Sequence, residues 1–433
     1  MNIDTYLMAE WMPALGCTEP ASIAYAGLIA ARYLNESPQA IILNVDTKIY
    51  KNCYAVGIPH SGHKTGIKWA AAIGVFLRKK ELGLQCFEDT TPGVLKSAQR
   101  LIKSNRIKIE IDKSKEHLFI EFSVTGRKNN ARCVIEGSHT NVTLISRNNK
   151  IIHRSGNKLH SSIQERARKW ATSLSIDRLI ELAHSLSKAQ RKVLIRGALQ
   201  NIKIGMHGLK LLPKTFFNIG KSGVNARITA LVGAGVYARM WGEPFPVMSV
   251  AGSGNKGIVI CAPLITLKNR WHIPPRKIEE ALFIAMLVTS KTTCELGTLS
   301  AVCGCSNAAG VGLACAIVYL KGGGKKEMSF AINNMVGNIT GMICDGAKIG
   351  CAMKTMTSVD AAFRSAALAM SGISIPAKDG IVGKDGLESL RNMGLIAKRG
   401  MVKTDEEILK IMKKKLQEII QCPRDRQKNR PGF

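Results

Sequence analysis

Leu296-Gly297-Thr298-Leu299-Ser300-Ala301-Val302-Cys303-Gly304-Cys305-Ser306-Asn307-Ala308-Ala309-Gly310-Val311-Gly312-Leu313-Ala314-Cys315-Ala316-Ile317-Val318-Tyr319-Leu320 runs for 25 residues without a charge. That length would cross a bilayer, but the composition argues otherwise. Gly, Ala, Ser, Cys and Asn outnumber Leu, Ile and Phe in it. A lipid-facing helix gains little from such small side chains, whereas they let packed helix backbones approach closely. The stretch reads as a helix buried among other helices, and no membrane partner is expected.

The flanking sequence has the same character. From about 163 to 420 the chain is rich in Ala, Gly, Leu, Met and Ser, and strand signals nearly vanish. Apolar periodicity predicts helices over 163–187, 189–203, 224–241, 277–290, 299–320, 328–343, 358–371 and 405–420. Upstream the pattern differs. Residues 5–34 read as helix-rich, broken at Ala14–Pro20 by Pro13, Gly16 and Pro20. Alternation at Ile41, Leu43 and Val45 predicts a strand, with a second near Tyr54–Ile58. Gly66–Leu82 and Pro92–Ser104 look helical. Four short strands follow at Ile107–Ile111, Leu118–Val124, Arg132–Glu136 and Asn141–Ser146. The polar, basic run Arg147–Ser162 reads as a linker. The expected fold class is α+β: an N-terminal antiparallel sheet with helices over 1–150, followed by a mostly α-helical domain over 151–433.

Composition narrows the function. The chain has 433 residues, 45% hydrophobic and 21% charged. These values exclude disorder, collagen-like repeats and disulfide mini-proteins. The formal net charge is +31, which favours anionic partners in principle. Aromatic residues are only 5% and are not interleaved with the basic ones as base-stacking platforms. Specific nucleic-acid binding is therefore not expected, and the excess reads as a lysine-rich solvated surface. Twelve cysteines are too sparse for a disulfide framework at this length. Met1–Leu7 contains Asp4 and lacks the basic and apolar regions of an export signal. A reducing cytoplasm is the expected location, with thiols available as ligands or catalytic groups.

Several motif-like stretches lack their context. Gly233-Ala234-Gly235-Val236-Tyr237-Ala238 matches a dinucleotide pattern, but its flanks look helical and 250–258 holds no acid. No H-E-x-x-H and no C-x-x-C occurs. What remains is a set of cysteines in unusual settings. Cys344-Asp345-Gly346-Ala347-Lys348-Ile349-Gly350-Cys351 has two glycines that let the backbone leave a helix. Cys303 stands near the start of the uncharged helix, and Cys17 sits in the turn Pro13–Pro20. Three thiolates can hold an iron–sulfur cluster and leave one iron open as a Lewis acid. The alternative for each cysteine is a small buried hydrophobe, and that reading is adopted for Cys53, Cys86, Cys133, Cys261, Cys315 and Cys422.

Four segments, together with Ser138-His139-Thr140-Asn141, resemble one family. They are Pro13–Pro20 (PALGCTEP), Gly252–Ile258 (GSGNKGI), Asn338–Ala347 (NITGMICDGA) and Cys351–Lys354 (CAMK). The sequence is similar to L-cysteine desulfidases, relatives of the alpha chain of iron–sulfur L-serine dehydratases, from about residue 10 to 415. The resemblance implies a [4Fe-4S] lyase that eliminates sulfide from L-cysteine to give pyruvate and ammonia. It implies Cys303, Cys344 and Cys351 as cluster ligands, with Cys303 preferred over Cys305 and Cys294 because Leu299–Cys303 looks like the family's L-S-A-x-C. It implies Cys17 as proton acceptor. A thiolate base needs a lowered pKa, which a nearby cluster, lysine or helix N-terminus would provide. His139, Thr140, Asn141, Ser253 and Asn255 are candidate substrate-binding residues. Lys354 is a candidate supporting charge, and Lys51-Asn52 resembles a further family segment.

There are departures. Cys53-Tyr54-Ala55-Val56-Gly57 stands where the family is glycine-rich, and the basic tail Cys422–Phe433 is unusual, so no role is carried to Cys422. L-Serine in place of L-cysteine is the nearest alternative within the class. A catalytically silent, basic, nucleic-acid-associated homologue is the alternative outside it. Self-association into a homo-oligomer is left open.

Overall fold

A computed structural model describes residues 1–115, 117–155, 162–213, 216, 223–297 and 299–421, with backbone only over 416–421. Cys422–Phe433 lies outside the described residues. Helix α1 (Ile3–Glu10), strand β1 (Met12–Leu15) and helix α2 (Thr18–Leu34) open the chain. Strand β2 (Ala40–Asp46) follows, then α3 (Thr47–Cys53), α4 (Ile67–Gly74), a 3-10 segment at Lys80–Asp89, and α5 (Pro92–Lys103). Strands β3 (Ile107–Asp112), β4 (Phe119–Thr125), β5 (Asn130–Glu136), β6 (Val142–Arg147) and β7 (Lys150–Arg154) complete the sheet. Its order is β3-β2-β4-β5-β6-β7.

This sheet is antiparallel apart from one parallel pair, β2–β3, in which Ile41 stands opposite Ile107. The connection between those strands carries helices, as parallel neighbours require. Alternate residues Ile41, Leu43 and Val45 of β2 face the core, as do Ile120, Phe122 and Val124 of β4. Helix α2 covers them with Ala21, Ile23, Ala24 and Leu28.

Two expectations fail here. No second strand forms near Tyr54–Ile58. Asp46 instead caps α3, its Oδ1 accepting from the N–H groups of Lys48 and Ile49 at 2.7 and 3.0 Å, which turns the chain into a helix. Only an isolated bridge, Gly57–Thr65, remains there. Nor is Arg147–Ser162 simply a linker. Lys150–Arg154 pairs with β6 through a turn with Asn148 and Asn149 at φ 48° and 64°. Every residue of β7 is exposed, so no apolar alternation marks it. Residues 156–161 of that run lie outside the described residues.

The rest is helical: α6 (Ile163–Ser173), α7 (Ile176–His184), α8 (Lys188–Leu211), α9 (Val224–Trp241), α10 (Gly254–Arg270), α11 (Pro275–Leu296), α12 (Gly304–Leu320), α13 (Lys325–Ile339), α14 (Cys351–Met370), α15 (Gly386–Leu395) and α16 (Val402–Gln421). One short strand, β8 (Pro246–Ser249), returns to pair antiparallel with β1, Met12 opposite Ser249. The uncharged stretch becomes α12, buried along nearly its whole length and packed by α10, α11, α13 and α14. Its small residues permit the contact: a Cβ at Gly312 would lie 2.5 Å from the Ala285 carbonyl oxygen of α11. Among the described residues no helix is long and apolar enough to cross a membrane. The dinucleotide-like Gly233–Ala238 lies inside α9 and is buried, and there it serves helix packing.

Buried side chains form two cores, one beneath the sheet and one among the helices. Tyr6, Leu7 and Trp11, at the start of the chain, belong to the helical core.

Candidate active site

Two loops bring distant cysteines together. Val302 and Ile343 form an antiparallel bridge. On either side of it the Cys303 N–H donates to the Met342 carbonyl at 2.8 Å and the Cys344 N–H to the Ala301 carbonyl at 2.6 Å. Cys303 caps the start of α12 and Cys351 is the first residue of α14. Between Cys344 and Cys351 the chain turns at Gly346, φ +93°. A Cβ there would lie 2.3 Å from the Lys51 carbonyl oxygen, so this loop closes against α3 only with glycine. The thiols respond to one another. Burial and then the charges of Cys303 and Cys344 push Cys351 up to about 12. Cys344 is raised by burial and by Cys303, with Lys51 and Lys354 opposing.

Cys305 joins the group beside Cys303. Its hydrogen bond with Cys303 lowers its pKa, helped by Lys256, and raises that of Cys303. Its Sγ lies 3.4 Å from the Ser253 hydroxyl. Cys294 is elsewhere, at the end of α11. All these thiols are free. Among the described residues no three His, Cys, Asp or Glu side chains converge on a point fit for a single metal ion. A cluster whose irons each take their own thiolate does not need such a point.

Lysines surround the thiols. Lys51, 1% exposed, donates to the Cys344 carbonyl at 2.7 Å and pairs with Asp405 at 2.5 Å. Lys354 bonds the Ile343 carbonyl at 2.8 Å and pairs with Asp345, which also holds Lys348. Lys256 donates to the Ala251 carbonyl at 3.0 Å and Thr293 Oγ1 at 2.9 Å. Its Nζ lies 3.6 Å from where a Gly304 Cβ would stand, between Cys303 and Cys305. Burial brings it down to about 8. The donor set is soft and the surroundings cationic, so these residues fit an anionic iron–sulfur cluster.

Cys17 lies in the turn between β1 and α2 and is buried. Arg239 fixes the turn, donating from Nη2 to the Gly16 carbonyl at 2.5 Å. The Cys17 thiol donates to Glu19 Oε2 at 2.7 Å. Burial and the Glu19 charge hold this thiol well above its usual range, with Arg239 opposing. A carboxylate is its immediate neighbour, and among the described residues no lysine bonds it. Thr18 donates to Gly252 O at 3.4 Å. Because Ser253 follows Gly252 and touches Cys305, the two clusters of side chains share the Ala251–Ser253 turn.

The remaining predicted residues divide. A cleft of about 1590 Å³ between the two cores is lined by Thr18, His139, Thr140, Asn141, Arg168 and Thr293, among others. The Ser22 hydroxyl holds the His139 carbonyl at 2.6 Å, and the His139 Nε2 lies 4.0 Å from Glu19 Oε1. That buried nitrogen has no hydrogen-bond partner. Asn141 is exposed and donates to the Glu136 carbonyl at 2.9 Å. Asn255 does not face the cleft. It is buried, with its Oδ1 accepting from Arg239 Nη1 at 2.9 Å.

Sequence reading assigned no role to Glu19, Arg168, Arg239 or Lys256. Glu19 and Lys256 lie inside quoted motifs, a usable signal. Arg168 and Arg239 carried none. Arg168 Nε bonds Glu10 at 3.0 Å, and its Nη2 lies 3.1 Å from where a Gly252 Cβ would stand.

The profile of one family, described as serine dehydratase alpha chain, matches residues 91–410. Relatives over nearly the full length include a UPF0597 protein of Geobacter sulfurreducens, 34% identical over 419 residues, which cover 94% of this chain and 97% of the relative. A UPF0597 protein of Caldanaerobacter subterraneus is 35% identical over the same shares of each chain. One from Elusimicrobium minutum is 34% identical over 411 residues, covering 93% of this chain and 97% of its own.

Proposed function

Because the chain belongs to the serine dehydratase alpha chain family, we propose that it is an iron–sulfur lyase that removes the α-proton and β-substituent of a small L-amino acid. L-Cysteine is the proposed substrate, yielding sulfide, pyruvate and ammonia. The observation that carries the reading is the gathering of Cys303, Cys344 and Cys351 by the 301–303/342–344 pairing and the Gly346 turn. Those three cysteines would hold a [4Fe-4S] cluster, with Cys305 adjoining. When bound, the cluster supplies an open iron that acts as a Lewis acid on the substrate.

The chain's own residues do the rest. Arg168, at the cleft wall, faces the substrate carboxylate, and His139 and Thr140 offer polar contacts beside it. Cys17 receives the α-proton, and its burial excludes water from that transfer. Ser253 orients Cys305 rather than substrate. Asn255 holds Arg239 and, through it, the Cys17 turn. L-Serine is a second reading, favoured by the description of the matched family. It differs only in hydroxide leaving instead of hydrosulfide.

The test is anaerobic reconstitution followed by iron, sulfide and pyruvate assays with both amino acids. About four irons per chain and sulfide release from L-cysteine support the lyase on cysteine. Pyruvate from L-serine alone moves the substrate to serine. Absence of bound iron refutes both. Cys344→Ala is expected to lose the iron, whereas Cys17→Ala is expected to keep it and lose turnover.

A further inference from the structure

Glu19 is a buried carboxylate in an unusual position. Its side chain is 8% exposed, and the one charged partner within 4.0 Å among the described residues is His139, at that limit. It accepts three hydrogen bonds: from Cys17 Sγ at 2.7 Å, Thr18 Oγ1 at 3.0 Å and Asn52 Nδ2 at 2.9 Å. It also lies in the first turn of the 17-residue α2, where the helix dipole favours a negative charge. Burial works against that charge, but His139, the Cys17 and Thr18 donors and the helix backbone outweigh it and keep Glu19 below the ordinary carboxylate range. The site therefore rests as carboxylate beside thiol.

That resting state poses a problem for a base at Cys17. A thiol accepts the substrate's α-proton only if its own proton leaves. Glu19 Oε2 is the acceptor that the thiol already bonds. The other charged neighbour of Cys17 is Arg239, which cannot accept a proton. Cys53 also lies near Glu19, but burial raises it far above its usual range. His139 faces Glu19 together with Arg168 and Lys256, and burial lowers its affinity for a proton.

We propose that Glu19 is the positioning residue that makes Cys17 a base, by storing the thiol proton during elimination. The proposal rests on the reading of Cys17 as proton acceptor. As Cys17 Sγ takes the α-proton, its own proton passes to Glu19 Oε2. The Cα–H electron pair becomes the Cα=Cβ bond, and the Cβ–S bond breaks with its pair on the departing hydrosulfide. For serine the departing group is hydroxide. Charge balances: the carboxylate is neutralised as the anion leaves. Transfer of the stored proton from Glu19 to the departing hydrosulfide, or to hydroxide for serine, restores carboxylate beside thiol for the next turnover.

The experiment uses the reconstituted full chain and the variants Glu19→Gln, Glu19→Asp and Cys17→Ala. It reads iron per chain, kcat and KM with L-cysteine and L-serine, and the pH midpoint of iodoacetamide labelling at the Cys17 peptide by mass spectrometry. Glu19→Gln is expected to keep its iron and a KM within threefold, and to lose at least 100-fold in kcat, the scale of general-base catalysis. Its Cys17 labelling midpoint should fall, because the neighbouring negative charge is gone. Glu19→Asp keeps the charge one methylene further away and should lie between wild type and Gln in both readings. Turnover within threefold of wild type in the Gln variant overturns the proposal. So does lost turnover with an unmoved labelling midpoint, which marks a merely structural role. If the Gln variant does not fold, an Asp variant with wild-type kcat and midpoint overturns it instead. Retained turnover in Cys17→Ala is a separate result: it removes Cys17 from the reaction and the proposal with it, whatever Glu19 does.

Discussion

Replacing Gly346 with alanine isolates the contact that closes the thiol-bearing loop. A non-glycine residue at φ +93° costs about 1–2 kcal/mol of backbone strain. The new Cβ would also stand 2.3 Å from the Lys51 carbonyl oxygen, a backbone atom that cannot swing aside. The loop must then lift off α3, and the Lys51 Nζ bond to the Cys344 carbonyl, 2.7 Å long, is lost with it. A hydrogen bond from a charged donor is worth about 1.5–3 kcal/mol. The total is about 2.5–5 kcal/mol. Gly372, at φ +77° with no heavy atom within 4 Å of its would-be Cβ, is the control, and its alanine variant should cost the strain alone. The gap between the variants is then about 1.5–3 kcal/mol, or roughly 10- to 150-fold in an equilibrium constant. Urea unfolding followed by circular dichroism measures it, and iron per chain after anaerobic reconstitution reads the local effect. Gly346→Ala should lose iron while Gly372→Ala keeps it. Equal destabilisation and equal iron in the two variants would refute the claim that the Lys51 carbonyl shapes this loop.

Two other perturbations probe the surroundings. Asn255→Ala should lower stability by about 1–3 kcal/mol, because Arg239 loses a buried acceptor, and should lower kcat beyond the loss of folded fraction as the Cys17 turn loosens, with KM unchanged, as steady-state kinetics beside thermal melts will report. Lys291, 4% exposed with its Nζ on the Thr172 carbonyl, is brought down to about 8 by burial. The unfolded chain therefore binds more protons between about pH 8 and 10.5, and this group's penalty shrinks as pH rises. Wild type should gain about 1 kcal/mol over Lys291→Met from pH 7.5 to 9, measurable by urea titration at both values; no differential gain would contradict the burial argument.

Helices whose apolar pattern matches their burial were legible: α9 spans 224–241 as expected. Elements stabilised by other means were not. Strand β7 is exposed along its length, so it is held by backbone pairing that leaves no hydrophobic signature. Helix α10 starts in a glycine-rich turn and contains Pro263, both of which argue locally against a helix. The β2–β3 pairing is parallel because of where α3, α4 and α5 pass, a property of the whole connection. At the site, the turns around Cys17 and Cys344–Cys351 announced themselves through Pro and Gly. The approach of Arg168 and Arg239 did not, because each reaches the site across the fold. The hydrogen bond of Asn255 was hidden for the same reason: its partner lies in α9.

The pairing of β1 with β8 has a consequence for synthesis. Met12 meets Ser249, 237 residues further along. At about 5–20 residues per second, the ribosome needs roughly 12–50 s to deliver that partner. Throughout this delay β1 has an unmated edge, and Tyr6 and Trp11 lack the helices that will enclose them. The edge of β1 and the aromatic residues beside it thus stay open to a chaperone for at least that interval.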